Sequence, residues 1–197
     1  MSEARIIRRT LVRSAITLSL LLFLGAATPR AQQAPTTQPR IPDVNCLDQN
    51  GKKLRFNTDL VKGKVVVISF IYTSCTYLCT RVGESTARLQ TALGDRLGRD
   101  VHLISVSTDP QTDTPKKLKA WATRLKAKDG WTLVTGEKAE MDRLLKVLTG
   151  DATGQKTHSP LLLIGNEATN VWAESYAFES PAKLIQQIDR VSGAAVR

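Results

Sequence analysis

Residues 65–70, Val-Val-Val-Ile-Ser-Phe, make a mostly β-branched run without the polar alternation of a strand that faces water on one side. A run of this kind fits a strand covered on both faces, and such strands belong to parallel sheets with helices packed above and below them. Cys75 and Cys79 follow a few residues later. Their i, i+4 spacing stacks two side chains on one side of a helical turn. Two soft sulfur donors so placed can share a metal ion or close a disulfide. The three residues between them separate this pair from the two-residue spacing of thioredoxin-type redox motifs.

The rest of the chain extends the same plan. Residues 44–56 predict a hairpin that turns at Asp-Gln-Asn-Gly, 48–51. A helix is predicted over 79–93, with Val82, Leu89 and Leu93 on one apolar face and Gly94 ending it. Residues 101–106 read as a second strand. Thr114-Pro115 opens a helix whose inner face is Leu118, Trp121, Ala122 and Leu125. Lys116, Lys117, Lys119, Arg124, Lys126 and Lys128 read as its wet face and the turn beyond it. A strand over 131–134 and a helix over 139–148 follow. A hairpin of 161–164 and 171–174 is expected to turn at Gly165-Asn166, and a helix over 181–191 closes the chain. This order predicts an α/β, thioredoxin-like fold: a central mixed sheet flanked by helices, with an N-terminal β-hairpin. In that plan the loop carrying Cys75 lies at the carboxyl edge of the sheet, where ligands bind.

The first residues read as a targeting segment. Arg5, Arg8, Arg9 and Arg13 precede an apolar core, 18–24, shorter than the roughly 20 residues of a membrane span, and small residues follow up to Ala31. Residues 1–31 are expected to be a signal peptide or short membrane anchor, 32–42 a linker, and 43–197 a single domain. The formal net charge is +10, and the five arginines of 1–31 against Glu3 account for +4 of it. A domain of net charge +6 in an exported, periplasmic setting suits an acidic partner protein or an anionic membrane surface. Nucleic acid is excluded as a partner by the export signal and the lack of a basic-aromatic pattern. Three cysteines in an oxidising compartment are too few for a disulfide scaffold, which points to chemical rather than architectural use.

Copper(I) prefers sulfur donors and also accepts imidazole. The chain has two histidines. His102 falls inside a predicted strand, on the face of Ile104, and reads as structural. His158 stands in the polar loop 151–160, just before an apolar strand, where the predicted topology turns it toward the cysteine loop. A loop histidine of this kind is either solvated or a third ligand. Cys46, in the first hairpin, reads as a small buried side chain. Asp113 or Thr114 is expected to cap the helix that Pro115 begins.

Tyr-Thr-Ser-Cys-Thr-Tyr-Leu-Cys (72–79), Ile-Ser-Val-Ser-Thr-Asp-Pro-Gln-Thr-Asp-Thr-Pro (104–115), Trp-Thr-Leu-Val-Thr-Gly (131–136) and Thr-His-Ser (157–159) together resemble, in order and spacing, the motifs of the Sco/SenC family. The resemblance runs from about residue 41 to 190. It implies an exported, thioredoxin-like copper protein, at the outer face of the inner membrane or in the periplasm, that assists assembly of the binuclear copper (CuA) site of a respiratory oxidase. It also implies that Cys75, Cys79 and His158 take the family's three copper-ligand positions, for Cu(I), Cu(II) or both. The partners implied are a copper-accepting oxidase subunit or other copper enzyme, and a thiol reductant that keeps the cysteines reduced. Where the family often has proline after each cysteine and aspartate before the histidine, this chain has Thr76, Thr80 and Thr157.

A thiol–disulfide oxidoreductase is the alternative reading. Cys75 would attack and Cys79 resolve, with Ser159-Pro160 resembling a cis-proline loop and no role required of His158. A peroxiredoxin would need proline and threonine where Ile68 and Tyr72 stand.

Overall fold

Among the described residues, seven strands build one sheet in the order β2-β1-β5-β4-β3-β6-β7. They are β1 (Asn45–Asp48), β2 (Lys53–Arg55), β3 (Val65–Ile71), β4 (Val101–Ser107), β5 (Trp131–Thr135), β6 (Leu161–Asn166) and β7 (Val171–Tyr176). Four α-helices accompany them: α1 (Leu78–Leu93), α2 (Pro115–Arg124), α3 (Lys138–Thr149) and α4 (Pro181–Ser192). The computed structural model describes residues 40–150 and 159–193, all within the unit Ala34–Arg197. The expected targeting segment 1–31, most of the linker and His158 lie outside the described residues. No helix among the described residues is long and apolar enough to cross a membrane.

β3, β4 and β5 are parallel, while β1 and β6 add antiparallel neighbours on either side. The apolar run thus becomes the strand between β4 and β6, and its alternation feeds two cores. Val67 and Ile71 pack with Val82 and Leu89 of α1, Trp121 of α2 and Ile188 of α4. Val66, Ile68 and Phe70 face Met141 and Leu144 of α3, together with Phe56 and Trp172. Ser69 is the polar exception, and its hydroxyl lies 2.8 Å from that of Ser105, which accepts the Trp131 indole N–H at 3.0 Å. Those hydrogen bonds offset the cost of burying polar groups at the sheet's centre.

The helix starts follow their sequence signals. Thr114 Oγ1 accepts the Lys117 N–H ahead of Pro115, and Ser180 Oγ accepts the Lys183 N–H ahead of Pro181. The wet face expected of α2 is exposed throughout.

The second hairpin departs from expectation. Gly165 and Asn166 do not turn; they lie in β6, opposite Trp172 and Val171. The turn falls at 167–170, where the Asn170 N–H meets the Glu167 carbonyl and Asn170 takes φ 52°. Gly165 is needed for a different reason: a Cβ there would lie 2.1 Å from Cε3 of the buried Trp172 ring. The glycine is a seat for an indole, not a hinge for the chain.

Candidate metal centre

The segment between β3 and α1 brings both sulfurs to the carboxyl edge of the sheet. Its first turn closes with the Cys75 N–H donating to the Tyr72 carbonyl at 3.2 Å. The helix expected over 79–93 leaves Cys75 ahead of it, and the structure agrees. Only Cys79 lies in α1, which begins at Leu78, while Cys75 sits ahead of the helix. From there the Cys75 sulfur accepts the backbone N–H of Cys79 at 3.2 Å. A helix leaves its first N–H groups without internal partners, and Cys75 takes up one of them with sulfur.

Both are free thiols, in unlike surroundings. Cys75 is half-buried; Cys79 is 4% exposed. Burial opposes ionisation of Cys75, but hydrogen bonds from the Cys79 N–H, the Cys79 thiol, the Tyr72 hydroxyl and the Tyr77 N–H outweigh it, bringing its pKa down to about 7. Burial, reinforced by the adjacent Cys75 sulfur, pushes Cys79 up to about 12. The Tyr72 hydroxyl is held above its ordinary pKa chiefly by its hydrogen bond to Cys75. A thiol with lowered pKa is a thiolate above that value and is protonated as the pH falls through it. Iodoacetamide is therefore expected to modify Cys75 with a rate that rises through a midpoint near pH 7. Cys79 should stay unmodified in the native protein. Peptide mass spectrometry after alkylation at several pH values checks this, and equal labelling of the two cysteines would contradict it.

Three residues around the pair carry roles that the sequence pattern did not disclose. Of the two expected cap candidates, Asp113 and Thr114, it is Thr114 that caps the helix. Asp113 is instead 1% exposed, and its carboxyl oxygens accept the Thr73 N–H at 3.0 Å, the Thr73 hydroxyl, and the Ser107 hydroxyl at 2.7 Å. It thereby ties the cysteine segment to the end of β4. Thr80 stands where the Sco/SenC pattern often has proline, and its hydroxyl donates to the Cys75 carbonyl at 3.3 Å. Tyr72 places its hydroxyl on the Cys75 sulfur. Only the recurrence of Asp109 to Pro115 as a motif pointed toward Asp113.

The other candidates separate cleanly. His102 lies in β4 near its amino end, the opposite edge of the parallel strands from the cysteines. Burial, with help from Lys64, lowers its pKa. Cys46 is buried in β1 with its thiol toward the Leu54 carbonyl, and burial pushes it up to about 12. Neither joins the pair. Among the described residues no cluster of three or more His, Cys, Asp or Glu side chains is arranged to hold a metal. His158 falls outside those residues, but Ser159 lines a cavity of about 30 Å³ together with Phe70, Tyr72, Cys75, Cys79 and Val82. The chain entering β6 thus passes beside the sulfurs. Every described peptide bond is trans, so the cis-proline geometry expected at Ser159-Pro160 for a disulfide reductase is not met.

Comparison with known proteins places this geometry among relatives. A family model described as SCO1/SenC matches residues 33–191. The SCO1 protein homolog of Bacillus subtilis is 34% identical over 118 residues, which cover 59% of this chain and 59% of that protein. The chain spans 51 to 61% of the length of the curated relatives it matches. The crystal structure of a SCO1/SenC family lipoprotein from Bacillus anthracis superposes with a TM-score of 0.69 at 23% identity, covering 82% of this chain and 99% of that one. The copper-bound structure of Bradyrhizobium japonicum ScoI gives a TM-score of 0.61 at 21% identity, covering 75% and 96%. At these identities the structural likenesses speak for the fold, which is the thioredoxin-like one expected.

Proposed function

Because this chain belongs to the SCO1/SenC family, we propose that it is a copper-binding metallochaperone that assists assembly of the CuA site of a respiratory oxidase. The observation that carries the reading is the pair of unlike sulfurs, Cys75 half-buried and Cys79 buried, held together at the sheet edge by the Cys79 N–H. Two thiolates are a donor set suited to Cu(I), and a cation offsets the cost of ionising the buried Cys79 beside Cys75. The copper-bound relative from Bradyrhizobium japonicum supports the choice of metal. His158 is proposed as the third ligand; the place of Ser159 in the cysteine cavity supports this. Copper is cargo here. An incoming ligand from the recipient would displace the more accessible Cys75 first and Cys79 last. The recipient is proposed to be the copper-accepting oxidase subunit, and the site of action the periplasm or outer face of the inner membrane after export on residues 1–31. The lipoprotein relative from Bacillus anthracis supports export.

An anaerobic Cu(I) titration of the reduced protein against a competing chelator tests this. One tight equivalent is expected, strongly weakened by Cys75→Ser, Cys79→Ser and His158→Ala alike. Absence of tight binding would overturn the reading. Intact-mass measurement on the same exported preparation should give a chain that starts near Thr28 or Gln32; one starting at Met1 or Ser2 would refute cleavage.

A second reading, thiol–disulfide oxidoreductase, is favoured by the Cys75 sulfur lying on the amino end of α1 with a resolving thiol one turn away. It predicts disulfide reduction that His158→Ala leaves untouched. Copper affinity that depends on His158 decides against it as the principal activity.

A further inference from the structure

Among the described residues, the large hydrophobic side chains left exposed are Tyr77 (69%), Tyr176 (58%) and Phe178 (45%). Two of them, Tyr77 and Phe178, gather on one flank of the cysteine loop. Tyr77 lies between the two cysteines in sequence. The Arg81 guanidinium sits 5.7 Å from the centre of the Tyr77 ring and 4.9 Å from that of Phe178, and it donates to the Tyr77 hydroxyl at 3.2 Å. Tyr176 is in register with Leu161, and the following Ala177 N–H donates to the Pro160 carbonyl at 2.7 Å. The backbone leading into Phe178 therefore runs beside the segment that carries Ser159, a wall of the cysteine cavity.

Exposed aromatics gathered in one place mark an interaction surface rather than an accident of packing. Tyrosine, phenylalanine and arginine are also the residues that enrich interface centres. Arg81 is held between two rings before any partner arrives, so little side-chain freedom remains to be lost on docking. Its other N–H groups suit a carboxylate, and the net charge of +6 left after residues 1–31 are removed steers acidic partners toward it. Geometry adds a further constraint: ligands that take a metal from Cys75 must come within bonding distance of it, so the acceptor covers Tyr77 in doing so.

We propose that Tyr77, Arg81 and Phe178 form the docking surface for the copper-accepting protein, which meets them with an apolar patch bearing a carboxylate opposite Arg81. This rests on the copper-delivery reading above.

The test uses the full exported protein loaded with Cu(I), the reduced copper-free soluble CuA domain of the oxidase from the same organism, and the variants Arg81→Glu and Phe178→Ser. Copper affinity against a chelator should stay within about threefold of wild type in both variants. The second-order rate of transfer should fall about tenfold or more in each, and Arg81→Glu should also lose most of the salt dependence of that rate. Transfer at the wild-type rate in both variants, with copper affinity intact, would overturn the proposal. So would a copper-loaded wild type that ignores the CuA domain but binds phosphatidylglycerol vesicles through Arg81. Failure of the wild type to bind Cu(I) at all would bring down the delivery reading, and this proposal with it.

Discussion

Asp113→Ala is expected to cost about 3 kcal/mol of stability, a large part of what a domain of this size possesses. The side chain is 1% exposed and accepts the Thr73 N–H, the Thr73 hydroxyl and the Ser107 hydroxyl. Alanine removes every acceptor and leaves the donors in a dry site, where each unpaired group costs roughly 1–3 kcal/mol less whatever relaxation recovers. Asp113→Asn keeps one carbonyl oxygen for the Thr73 N–H, and the Ser107 hydroxyl can rotate to accept from the new amide. That variant should cost about 1 kcal/mol. Urea unfolding measures both. The effect extends past stability, because Thr73 begins the segment that sets the Cys75 sulfur against the Cys79 N–H. Loosening it should move the alkylation midpoint of Cys75 upward from about 7 toward the ordinary thiol value. Alanine and asparagine variants of equal stability, or an unmoved midpoint in Asp113→Ala, would refute the bracing role.

Gly165→Ala is the second large effect, expected at about 3 kcal/mol, the upper part of the range for overpacking a core. The new Cβ would fall 2.1 Å from Cε3 and 2.3 Å from Cδ2 and Cζ3 of Trp172. Those atoms belong to a rigid ring that is 2% exposed and packed among Phe56, Met141 and Leu163, so it has no cheap way to yield. A double-mutant cycle checks the cause. Trp172→Leu alone should destabilise by leaving a cavity, yet Gly165→Ala added to it should cost far less than in the wild type. Additive losses would mean that the glycine matters for its backbone and not for the indole.

What could be read in the sequence divides by physical origin. Elements set by local chemistry were legible: the apolar strand, the capped start at Thr114-Pro115, and the Asp48 turn, where the carboxylate accepts the Asn50 and Lys52 N–H groups. The basic face of α2 was legible for the same reason. Features set by contacts distant in sequence were not. Gly165-Asn166 has the composition of a turn, but an indole from the opposite strand decided its place. Asp113 has the composition and position of a cap, but Thr73, 40 residues earlier, claimed its side chain. The cysteines were found by spacing, and the helix start expected at 79 already set Cys75 ahead of it; the burial of Cys79 was not legible, because it depends on the packing of α1 on the sheet.

The arrangement of β3 also has a consequence in time. Its neighbours are β4, some three dozen residues onward, and β6, nearly a hundred onward. Pairings so distant in sequence form late, since the chain must surrender loop entropy before they repay it. A newly delivered chain therefore presents Cys75 and Cys79 as ordinary flexible thiols while its helices come and go, and the difference between them arises only when the last strands dock. The maturing polypeptide passes through an interval in which its two sulfurs are equally open to oxidants, and the sheet ends that interval by closing.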